Sequence, residues 1–73
     1  MLVRKHIYMS GGSTSLALEP IYWESIAALT KHSMSGWIRQ QLLSKPDTVG
    51  NASWIRQKVL AETIKAVLTS KSA

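Results

Sequence analysis

Residues 13–20, Ser13-Thr14-Ser15-Leu16-Ala17-Leu18-Glu19-Pro20, constrain the fold more than any other stretch. Side chains alternate along a strand with period two, so Thr14, Leu16 and Leu18 share one face and Ser13, Ser15 and Ala17 the other. Glu19-Pro20 ends the strand, because proline fixes φ and suits the first position of a helix. No second segment of the sequence alternates as cleanly. A lone short strand leaves backbone N–H and C=O groups that must find partners. The nearest available partner is the same strand of a second copy, which predicts a homodimer joined by a two-stranded antiparallel ribbon.

Size supports the same expectation. A chain of 73 residues is one small domain whose core is marginal for a monomer without staples. It has no cysteine, which removes disulfides and Cys-based metal sites. His6 and His32 are far apart and have no carboxylate near either, so no metal is expected. Hydrophobic residues make up 45%, which argues for a packed core rather than disorder. Nine Lys and Arg against four Asp and Glu give a net charge of +5, favouring a polyanionic partner, nucleic acid ahead of a membrane surface. Charged or turn residues interrupt every apolar run before it reaches transmembrane length, and residues 1–5 lack an apolar stretch of signal-peptide length. The expectation is a soluble, cytoplasmic protein with no membrane partner.

Along the chain, residues 1–12 carry a basic cluster, Arg4, Lys5 and His6, then Ile7-Tyr8-Met9 with β-favouring side chains and a turn signal at Ser10-Gly11-Gly12. We read this segment as a basic arm that orders partly against the ribbon, with a short first strand as the alternative. Residues 20–31 read as an amphipathic helix in which Tyr22, Trp23, Ile26, Ala27 and Leu29 recur at helical spacing. Trp23 is expected as a core anchor whose indole N–H finds a partner at the rim. Ser33 or Ser35 caps a second helix, about 35–44, with Met34, Trp37, Ile38 and Leu42 on one face. Pro46 interrupts the helical pattern, and Asn51 or Ser53 caps a third helix over about 51–69. Its stripe is Ile55, Val59, Leu60, Ile64, Val67 and Leu68, followed by a frayed tail at 70–73. Residues 35–40, Ser-Gly-Trp-Ile-Arg-Gln, echo 52–57, Ala-Ser-Trp-Ile-Arg-Gln. The simplest account is two helix first turns, each with a Trp-Ile core pair and an exposed Arg. The domain expected is therefore residues 13–69, mainly α with one short β-strand. Its dimer core combines Leu16, Leu18, Trp23, Ile26, Ile55, Val59 and Ile64.

Catalytic chemistry is not expected. Glu19, Glu24, Asp47 and Glu62 are scattered, with no spacing that pairs an acid with a base. No Gly-x-Ser-x-Gly elbow is present, and Ser10-Gly11-Gly12-Ser13 lacks the Gly-Lys-Ser/Thr of a phosphate loop. No enzyme activity and no cofactor follow from these residues. A two-stranded ribbon, by contrast, fits the major groove of B-DNA, about 12 Å wide. Outward Ser13 and Ser15 would hydrogen-bond base edges and Ala17 would touch a thymine methyl, while Arg4 and Lys5 grip flanking phosphates. The helix start at Asn51 offers backbone N–H groups and a positive dipole end to another phosphate.

The order of strand, Leu-Glu-Pro-x-x-Trp, helix, Gly-Asn-x-Ser and long helix resembles the ribbon-helix-helix family of DNA-binding proteins, of the Arc/MetJ type. The subgroup it is most similar to reads Gly-x-x-Thr-Ser-x-x-Leu-Glu-x-x-x-Trp, which here is Gly11, Thr14, Ser15, Leu18, Glu19 and Trp23. The resemblance covers about residues 5–60. It implies an intertwined homodimer that inserts an antiparallel intermolecular ribbon into the major groove and acts as a transcriptional repressor, antitoxin or plasmid regulator. A toxin-like protein is then a possible further partner. Carried over by position, the base-facing residues are Ser13, Ser15 and Ala17. The phosphate-anchoring helix start is Asn51, Ala52 and Ser53, with Ser35 as the other candidate start. The subgroup commonly has Arg where Ser13 stands and a polar residue where Ala17 stands. That shifts weight in recognition to the basic arm and to DNA shape.

Overall fold

Gly11 sets the first feature of the chain. Its φ of +89° lies where an L side chain is strained, so the chain reverses there at Ser10-Gly11 without penalty. Two antiparallel strands follow from that turn, β1 (Val3–Met9) and β2 (Gly12–Leu18), forming one two-stranded sheet. The computed structural model describes residues 1–30 and 33–71, with three helices after the hairpin: α1 (Pro20–Leu29), α2 (Met34–Leu43) and α3 (Asn51–Lys71).

The single-strand expectation needs correction here. β2 finds its partner within the same chain, pairing Val3 with Leu18, Lys5 with Leu16, Ile7 with Thr14 and Met9 with Gly12. The segment read as an arm is thus the second strand of a ribbon. Its alternation is Val3, Lys5, Ile7 and Met9 on one face and Arg4, His6 and Tyr8 on the other. The alternative reading of a short first strand is the one the structure shows; Lys5 interrupts its apolar row, which is why the arm was preferred. The Lys5 stem crosses the inner face and its Nζ lies 5.5 Å from the centroid of the Trp23 ring.

The inner face of the hairpin meets the helices. Ile7, Leu16 and Leu18 bury against Trp23, Ile26, Ile38, Leu42, Ile55 and Val59, giving one sheet layer on one helical layer. α1 starts at Pro20, where a missing N–H costs nothing, and Thr30 follows its last turn. The helix stops at Leu29, short of the expected residue 31, with Thr30 already extended at φ −107° and ψ 138°; residues 31 and 32 lie outside the described residues. Ser33 rather than Ser35 caps α2, its Oγ accepting from the Gly36 N–H at 3.0 Å. The Lys45 ammonium holds the next loop, donating to the Val49 carbonyl at 2.7 Å and the Pro46 carbonyl at 3.2 Å.

Three further expectations change in α3. Asn51 is its first helical residue, not its cap, and its side chain donates from Nδ2 to Thr14 Oγ1 at 3.2 Å. The helix continues through Lys71, past the expected fraying from residue 70, and residues 72–73 lie outside the described residues. The long apolar stripe also splits. Ile55 and Val59 are buried, whereas Leu60, Ile64, Val67 and Leu68 are 52%, 58%, 49% and 62% exposed. The reason is length: at about 1.5 Å rise per residue, 21 residues outrun the 10-residue helices α1 and α2. Among the described residues, the core therefore ends before the far half of α3. Ile64, expected in a dimer core, is no part of the protomer core.

The sequence echo occupies matching places. Trp37 and Trp54 are each the fourth residue of their helix and half-buried, and Ile38 and Ile55 behind them are both fully buried. The following arginines are not simply solvated. Arg39 donates from Nη1 to the Tyr8 carbonyl at 3.2 Å. Arg56 donates from Nε and Nη2 to Glu19 Oε1 at 2.9 and 2.7 Å, with its guanidinium 5.7 Å from the Tyr22 ring.

Candidate nucleic-acid interface

The outer face of the hairpin collects four of the eight residues singled out for DNA contact, Arg4, Ser13, Ser15 and Ala17. Register puts Arg4 opposite Ala17, His6 opposite Ser15 and Tyr8 opposite Ser13, all on the side away from the helices. Five of these six side chains are exposed and Ala17 is half-buried. Tyr8 is 72% exposed, a large aromatic ring held in water. No carboxylate occurs among the six, so the face offers a guanidinium, an imidazole, a phenol and two hydroxyls with nothing negative between them. His6, named in the basic cluster, and Tyr8 were given no DNA contact from the sequence. The signal was there in their i, i+2 spacing with Arg4, but it has meaning only once residues 3–9 are known to be a strand.

The helices fix that face at several points from behind. The Trp23 indole N–H donates to the Val3 carbonyl at 2.9 Å, tying the start of β1 to α1. Arg39 of α2 binds the Tyr8 carbonyl near the turn, and Asn51 of α3 binds Thr14 on β2. A two-stranded hairpin alone is marginal in water. Anchored by one residue from each helix, it presents its outer row already ordered, which lowers the entropic cost of binding.

Other expected contacts fall elsewhere. Lys5 is on the inner face beside Trp23, so it does not act with Arg4 on one surface. Asn51 and Ala52 are half-buried and Ala52 packs on the core, leaving Ser53 exposed at the α3 start. That start is nonetheless adjacent to β2 through the Asn51–Thr14 bond, and the first-turn N–H groups of a helix have no intrahelical acceptor. Ser35 lies inside α2 rather than at its start.

Behind the site, the protonation of Glu19 is displaced by its surroundings. The Arg56 side chain, donating to its carboxylate, holds Glu19 below the ordinary value of 4.5, with help from a backbone hydrogen bond at Glu19 itself. Both partners reach solvent, so this pair orders the strand-to-helix junction more than it stabilises it. Among the described residues no cluster of three His, Cys, Asp or Glu side chains is placed to hold a metal ion. No described helix is long and apolar enough to cross a membrane.

Comparisons of the chain with protein-family models, with curated proteins and with solved structures give no match.

Proposed function

We propose that this protein is a sequence-specific binder of double-stranded DNA, a transcriptional regulator of repressor type that acts as a homodimer and belongs to the ribbon-helix-helix kind. The observation that carries the reading is the outer face of the hairpin: an exposed surface without a carboxylate, whose β2 edge is free to pair with a second copy into a two-stranded ribbon of the kind a major groove admits. A net charge of +5 supports a polyanionic partner. In this reading Ser13, Ser15 and Ala17 face the base edges, and the α3 start at Ser53 lies against a phosphate.

The homodimer uses two features of the protomer. β2 is an edge strand with β1 on one side only, so antiparallel pairing with β2 of a second copy supplies the intermolecular ribbon that the family resemblance implies. The row Leu60, Ile64, Val67 and Leu68 on α3 is assigned to the same second copy. A helix presents such a row at i, i+4, i+7 and i+8, and an identical helix offers the matching seam. The exposed row also favours a second reading, an antitoxin-like module in which a toxin-like protein covers α3 and DNA binding is secondary.

One experiment tests the proposal: selection of bound sequences from a random duplex pool, run beside light-scattering mass in solution. The expected result is a dimer and an enriched two-fold-symmetric site whose affinity falls steeply with salt. A monomer without salt-dependent duplex binding refutes it, and a monomer with the α3 row still open favours the second reading.

A further inference from the structure

The two strands of the outer face are unequally equipped. β1 contributes Arg4, His6 and Tyr8, all long and polar-tipped, whereas β2 contributes Ser13, Ser15 and Ala17, all small. This division acquires a meaning in the proposed dimer, on which the following inference rests. With β2 paired to its copy, the sheet runs β1, β2, β2 of the copy, β1 of the copy. Neighbouring strands are about 4.8 Å apart, so the two β1 strands are separated by about 14 Å. The major groove is about 12 Å wide. The central pair fits between the groove walls, and the outer pair does not.

We infer that β1 is a phosphate-gripping strand, with Arg4, His6 and Tyr8 lying on the sugar–phosphate walls of the groove while β2 faces the bases. Small residues at the centre let the β2 backbone approach the base edges. Long residues at the flanks reach up and outward to the phosphate oxygens, which lie at the groove's rim. The chemistry suits the place: a guanidinium forks onto a phosphate, and imidazole N–H and phenol O–H donate to its oxygens. The arrangement also separates Arg4 from Lys5. Lys5 points to the helices and takes no part. Tyr8 gains a role for an exposure of 72%, and the Arg39 bond to its carbonyl becomes a positioning contact at the end of the rail.

The test uses the full chain and the duplex that it selects from a random pool, with affinity measured over a range of salt. Each phosphate neutralised contributes a slope of about 0.9 in log K against log salt. Arg4→Ala removes one contact per protomer, so the slope is expected to fall by about 2 for a dimer with the base preference retained. Tyr8→Phe should weaken binding several-fold with slope and preference unchanged. Ser15→Ala should alter the preference and leave the slope alone. The inference is overturned if Arg4→Ala or Tyr8→Phe relaxes the choice of base at one position, because β1 then lies in the groove. It is equally overturned if Arg4→Ala leaves the slope intact. Absence of duplex binding by the wild-type chain is a different result, since it refutes the proposed function itself. Circular dichroism of each variant separates lost contacts from lost fold.

Discussion

Ile55 and Ile64 sit nine positions apart on α3 and were expected on one stripe, yet they have opposite surroundings. Ile55 is fully buried and Ile64 is 58% exposed. Replacing each with alanine removes the same three carbons. At Ile55 the transfer term is about 0.8 kcal/mol per carbon, or about 2.4 kcal/mol, and the residual cavity brings the expected cost to about 2–5 kcal/mol. A domain of 73 residues has about 4–11 kcal/mol of stability in all, at about 0.05–0.15 kcal/mol per residue. Ile55→Ala therefore removes a large share and lowers the melting temperature by about 10 °C or more. Ile64→Ala loses little packing within the protomer and gains helix propensity, so its change in dilute solution should stay within about 0.5 kcal/mol. Urea unfolding at several protein concentrations measures both. If a second copy covers the α3 row, the Ile64 variant should lose stability only as concentration rises, because dimerisation stabilises by mass action. A cost below about 1 kcal/mol at Ile55 would refute the single-core argument. A cost at Ile64 that is as large and independent of concentration would show the helix folded against its own protomer.

Three other outcomes follow from local geometry. Ser33→Ala should cost about 1 kcal/mol through loss of the α2 cap, whereas Ser35→Ala should change stability by less than about 0.5 kcal/mol; a larger cost at Ser35 in urea unfolding refutes the cap assignment. Gly11→Ala places a Cβ at φ +89° and should cost about 1–2 kcal/mol, while Gly50→Ala, with nothing within 4 Å and no positive φ, should cost less, about 0.5 kcal/mol, through the cap position before Asn51; equal effects in thermal melts would contradict the turn geometry. Glu19 has a folded-state value below its ordinary 4.5, so its contribution is present above about that pH and is lost as pH falls through the lowered value. Glu19→Gln should thus be less stable than the wild type at pH 7, and the gap should close in acid. A gap that stays constant down to acid pH rules out the Arg56 pairing as its source.

Much of the local architecture was readable because it depends on near neighbours. The alternation of Thr14, Leu16 and Leu18, the Pro20 helix start and the 3.6-residue spacing of Trp23 and Ile26 are properties of short windows, and β2 and α1 occupy those windows. β1 was offered only as the alternative to an arm, because Lys5 breaks the apolar row of its inner face; in the fold Lys5 stays exposed with its Nζ 5.5 Å from the Trp23 ring centroid. Of the candidate site, Arg4, Ser13, Ser15 and Ala17 were named from sequence. His6 and Tyr8 were noted but given no place in the site, since a residue's face is undefined until its strand is.

The chain's own pattern determined the turn at Gly11, the helix start at Pro20 and which apolar residues seek burial, because backbone sterics and side-chain periodicity act within a few residues. Tertiary structure alone decided that β2 pairs with β1 in the same chain, that Arg56 reaches Glu19 across 37 positions, and that the α3 stripe is buried at Ile55 and Val59 but open from Leu60 onward. Those outcomes depend on where other elements lie and where they end. A strand pairs with whichever edge the turn delivers to it, and an apolar side chain is buried only where a neighbour extends far enough to cover it.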